Sequence, residues 1–122
     1  MTIVLPVAAA VCLSESGCAL IIPPECRYLK TAQGHATAEA VQKQLGAPVA
    51  HAVLPTGEAV WRYEVREEQP FHRGTPTGFW CDEYQLTFDR QSVLREWTHR
   101  SYFHGGSLNP EPCRVEYERL AL

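Results

Sequence analysis

The chain is short of the features that usually announce a molecular task. Its 11 Lys and Arg are scattered, no basic run forms, and the net charge is −3. A nucleic-acid binder held by a broad basic face is therefore excluded. There is no Cys-x-x-Cys among the five Cys, so zinc or redox chemistry of that spacing has no support. No internal repeat appears. No apolar run reaches the roughly 20 residues that a bilayer-crossing helix needs. No nucleophile, base and oxyanion stabiliser stand in a readable constellation, which points to a non-enzymatic protein without a cofactor. What is present is ordinary for a globular fold: 45% hydrophobic, 20% charged and 10% aromatic residues. A chain of 122 residues is one domain's worth, and such a domain hides roughly two thirds of its unfolded surface.

The N-terminus is distinctive. Residues 3–13 are all apolar or Pro, the length of a signal-peptide hydrophobic region. Ser16-Gly17-Cys18 follows and looks like the end of a bacterial lipoprotein signal. In such a signal the Cys18 thiol takes the lipid and becomes the first mature residue, and small residues before it fit the peptidase. No Lys or Arg precedes Arg27, and Glu15 stands where these signals usually carry Leu. A buried N-terminal strand is the alternative, disfavoured by Pro6 and three alanines. The expected organisation is a signal peptide over 1–17, an extended tether over 18–34 containing Pro23-Pro24, and a folded domain over 35–122.

In the body, Thr37 to Leu45 reads as a short helix. Thr37 suits the N-cap, Glu39 the first turn and Lys43 the last, while Gly46 and Pro48 end it. Val41 and Leu45 mark an apolar face that must pack on something. The segment Ala59 to Val65 alternates, with Trp61, Tyr63 and Val65 on one side. Glu83 to Phe88 alternates likewise, through Tyr84, Leu86 and Phe88. Asp89 to Ser92 is a tight polar turn into a third strand that runs to Phe103, so an antiparallel hairpin is expected. A simple count across that turn puts Cys81 opposite Arg100. Residues 114–120 are either a short fourth strand or a tail. The fold class is α+β, a short helical part on a three- to four-stranded antiparallel sheet. Trp61, Tyr63, Leu86, Phe88, Val41 and Leu45 are its expected core.

These pieces can be aligned: Thr37-x-Glu39-x-Val41, Leu45-Gly46-x-Pro48, Trp61-x-Tyr63, then Leu86-Thr-Phe88-Asp89 and a polar turn. Over about residues 29–100 this resembles the SmpA/OmlA (BamE-like) outer-membrane lipoprotein family. The resemblance implies a lipidated Cys, a tether, and a small helical part on an antiparallel sheet, a fold similar to that of β-lactamase-inhibitor proteins. It also implies a scaffold or binding module at the outer membrane, facing the periplasm, with an outer-membrane or periplasmic protein as partner. Barrel-protein assembly or envelope integrity would be its field. A soluble periplasmic or secreted inhibitor-like module is the alternative.

Three groups of residues are candidates for chemistry. With Cys12 and Cys18 in the signal, Cys26, Cys81 and Cys113 remain, and a disulfide is plausible in an exported chain. Cys81–Cys113 is favoured, Cys26–Cys113 is next, and the leftover thiol would be free. His99, His104 and Cys113 have no metal-site spacing and read as solvent-exposed polar groups, as do the loop charges Glu67-Glu68 and Asp82-Glu83. The stretch from Arg66 to Asp82 reads as a long loop carrying Phe71, Arg73, Phe79 and Trp80. Aromatics and Arg dominate interface energetics, so these four are the expected partner-binding residues. The competing reading is that Phe79 and Trp80 cover the sheet.

Overall fold

The computed structural model describes residues 22–110 and 112–114. The expected signal peptide, Cys18, and most of the 114–120 segment lie outside the described residues. Two helices pack on a four-stranded antiparallel sheet, an α+β fold. The elements are α1 (Pro24–Ala32), α2 (Ala38–Leu45), β1 (Ala50–Val53), β2 (Ala59–Gln69), β3 (Gly78–Phe88) and β4 (Leu94–Gly105), and the sheet order is β1-β2-β3-β4.

Helix α1 corrects the expectation of an extended tether. Pro24 sits at the start of the helix, where its missing N–H costs nothing. Glu25 occupies the first turn and Lys30 the last, each matching the helix dipole. Cys26, Leu29 and Ala32 recur every three residues and are buried. Helix α2 forms as its sequence suggests. The Thr37 hydroxyl accepts from the Ala40 N–H at 3.2 Å, and Gly46, at φ +85°, closes the helix. Strand β1 was not legible as a strand. It pairs with β2 through Ala50↔Arg62 to Val53↔Ala59.

The chain divides into two compact units. The first holds the described residues through Tyr63 together with Tyr84–Arg100. Its core includes Leu29, Val41, Tyr84, Leu86, Phe88 and Trp97, each at most 1% exposed. Of the expected core, Val41, Tyr63, Leu86 and Phe88 are buried, while Trp61 and Leu45 are half-buried. Trp61 nevertheless packs its ring 4.6 Å from that of Phe88. The segment between the helices is stitched to β4: Gly34 N–H donates to Leu94 O at 2.7 Å and Leu94 N–H to Ala36 O at 2.8 Å.

The β3–β4 turn explains a shift in register. Asp89 N–H donates to Val93 O, and Ser92 adopts φ +64°, so the turn holds one residue more than a simple count allows. Asp89 Oδ1 fixes it by accepting from Gln91 and Val93 N–H. Buried positions then step from Leu94 to Trp97, a three-residue step that takes a second extra residue, as in a bulge. In the first unit Tyr84 therefore stacks on His99, centroids 4.6 Å apart. In the second, Ser101 donates to Asp82. Both contacts are two residues out of step with Cys81 opposite Arg100.

The second unit comprises Glu64–Glu83 with the described residues from Ser101 on. Here the expected long loop is corrected. Strand β2 continues to Gln69 and β3 starts at Gly78, which leaves only residues 70–77 between them. Gly78 is buried because the chain passes close: a Cβ there would meet the Phe103 ring, and the His104 carbonyl oxygen at 2.6 Å.

Candidate functional site: a braced arm and a strapped tail

Residues 70–77 form a small hairpin arm, not a slack loop. His72 and Thr75 exchange backbone hydrogen bonds, at 3.3 and 2.8 Å. Between them Gly74 stands at φ +86°, a conformation that nearly every other residue resists. The Gln69 amide braces the arm by donating to Pro76 O at 2.7 Å. Gln69 Oε1 in turn accepts from Trp80 Nε1 at 2.8 Å, and the Trp80 ring packs 5.0 Å from that of Phe103.

This geometry separates the four expected partner residues. Phe71 is 79% exposed, the most exposed large apolar side chain among those described, and Arg73 is exposed at the tip. Phe79 is half-buried. Trp80, though 38% exposed, is tied to Gln69 and Phe103. Phe71 and Arg73 are thus presented outward, whereas Trp80 supports the arm.

A second cluster lies under the C-terminal tail. Cys81 and Cys113 form a disulfide, with Cα atoms 5.7 Å apart. Cys113 N–H donates to Glu64 Oε2 at 3.2 Å, and the Cys113 carbonyl lies 2.8 Å from His104 Nε2. Arg66 is the clamp of this region. Its guanidinium donates to Asn109 Oδ1, to Pro110 O and, at 2.6 Å, to Glu64 Oε1. The Glu64 side chain is only 3% exposed and that of Arg66 23%, so the charge of Glu64 is held by a half-buried ion pair. Sequence reasoning missed Glu64 and Arg66, whose part depends on a tail about 45 residues away in sequence.

Three further expectations are corrected. Cys26 is also disulfide-bonded, so it is not a leftover free thiol. His99 is not a solvent-exposed group: it is 3% exposed, with Nδ1 3.7 Å from Cys26 Sγ. Glu83 is likewise buried, whereas Glu67 and Glu68 are exposed as expected of solvated charges. In the first unit an open depression is lined by Thr56, Glu58, Asp89, Arg90 and Gln91. Its acids are already engaged, Glu58 with Arg95 at 2.7 Å and Asp89 with its own turn. The chain matches no family model, no curated protein and no solved structure.

Proposed function

We propose that this protein is a non-enzymatic envelope lipoprotein of the SmpA/OmlA kind. On this reading it is anchored through Cys18 at the periplasmic face of the outer membrane and acts there as a scaffold or binding module. Its field of action is barrel-protein assembly or envelope integrity. The motif order from Thr37 to Asp89 and the signal-like N-terminus support the class. The observation that carries a binding role is Phe71, 79% exposed on an arm whose backbone is closed and braced. An exposed aromatic on an ordered support loses little conformational freedom when it docks. Arg73 beside it suits a carboxylate on the partner.

Cross-linking in the native membrane fraction tests this. Replacing Phe71 and Arg73 together with Ala should abolish capture of an envelope partner and leave the melting temperature unchanged. A lower melting temperature with capture intact would sink the binding role of the arm. Mass spectrometry of the mature N-terminus tests the anchor. An acylated Cys18 is expected; a Cys18 that is unmodified, or spent in the disulfide of Cys26, would favour a soluble inhibitor-like module instead.

A further inference from the structure

The cluster under the tail sets three donor atoms together. Glu64, Cys81 and Cys113 each offer one ligand atom, and all three atoms lie within 4.8 Å of one another. Both Cys are fully buried. Two sulfurs and a carboxylate are a donor set for zinc and related divalent cations. While the sulfurs are bonded to each other they offer no thiolate. We propose that the reduced form of this cluster binds one divalent cation of the zinc class. The thiolates of Cys81 and Cys113 and the carboxylate of Glu64 are its protein ligands, and water completes the tetrahedron.

The surroundings fit that role in three ways. The first is charge. Two thiolates and a carboxylate around a dication leave a single negative charge, and Arg66, 2.6 Å from Glu64, balances it. A buried charge left unbalanced would be costly. The second is ligand orientation. Arg66 and the Cys113 N–H hold the two oxygens of Glu64, the outer-shell support that metal-binding carboxylates use. The third is persistence. The contacts of Arg66 to Asn109 and Pro110, and of His104 to Cys113, do not involve the sulfurs. They keep Cys113 over the strands when the disulfide opens.

The chemistry balances with a water-soluble phosphine as reductant. The phosphine takes the oxygen of one water and becomes its oxide, and the two hydrogens of that water go to the two sulfurs. Cation binding then expels both thiol protons.

The test uses the full chain, reduced with phosphine under argon and titrated with cobalt(II). The wild-type protein should saturate at one cobalt per chain, with thiolate-to-cobalt charge-transfer absorption and the visible bands of tetrahedral cobalt. Cys81→Ser and Cys113→Ser, which keep the other cysteines, should lose the charge-transfer absorption. Glu64→Gln, which still accepts from the Cys113 N–H, should weaken binding by more than about tenfold, because even outer-shell changes cost that much. No charge-transfer absorption in the reduced wild type would overturn the site. So would absorption that survives Cys81→Ser, or an affinity indifferent to Glu64→Gln. That indifference is also what adventitious binding to an unfolded reduced chain would give.

Discussion

Tyr63 shows how one side chain can make stability depend on pH. Its hydroxyl donates to Gly46 O at 2.8 Å, joining β2 to the end of α2. Burial, helped by the nearby Tyr28, pushes its pKa up to about 12. Between the unfolded value near 10 and that folded value, the native state keeps a proton that the unfolded chain has lost. Stability is therefore complete below about pH 10 and falls as pH rises towards 12. Urea unfolding across this range should show the decline, and Tyr63→Phe should flatten it. Trp97 makes the opposite kind of contribution. Its indole N–H is buried and has no hydrogen-bond partner among the described residues, a deficit of about 1–3 kcal/mol that its fully buried ring offsets. At this scale the sequence was informative about apolar positions such as Leu86 and Phe88. It was poor on polar ones: nothing local separates His99, buried against Tyr84, from His72, exposed on the arm.

Among the elements, α2 was the most legible because its start and stop signals are local. Thr37→Ala should remove the cap bond to Ala40 and cost about 1 kcal/mol, read as a shift of the urea midpoint. The missed elements have physical explanations. In α1 the Pro23-Pro24 pair looks like a linker, yet Pro24 is tolerated at a helix start. Strand β1 has only four residues, too few to display alternation. The polar ends of β2, Glu67 to Gln69, hide a strand whose support comes from backbone pairing and from the Gln69 brace to Pro76.

For the molecule as a whole, Cys113 is the only buried residue among those described after β4. The disulfide joins residues 32 apart, a loop whose closure stabilises by about 2–4 kcal/mol. Replacing Cys81 and Cys113 together with Ala should lower unfolding free energy by about that amount. Hydrogen exchange should rise first in the second unit, at the amides of 101–106, and least in 84–99 of the first. Equal acceleration in both would mean that the units unfold only together. The α+β class followed from strand alternation and one capped helix. The tail cluster did not, since Glu64, Cys81 and Cys113 meet only once the chain has folded. A spacing pattern carries no trace of that meeting.

The outermost strand, β1, has no neighbour on its free side among the described residues, and Val49 and Val53 beside that rim are 57% and 73% exposed. Such a rim is a template on which foreign strands can grow. Here it is fenced by Pro48 and Pro55, neither of which can donate to a ladder. The four residues of β1 between these fences give an incoming strand a foothold of about 13 Å, too short to hold a second chain by backbone pairing alone. That fence keeps a half-open sheet from seeding aggregates.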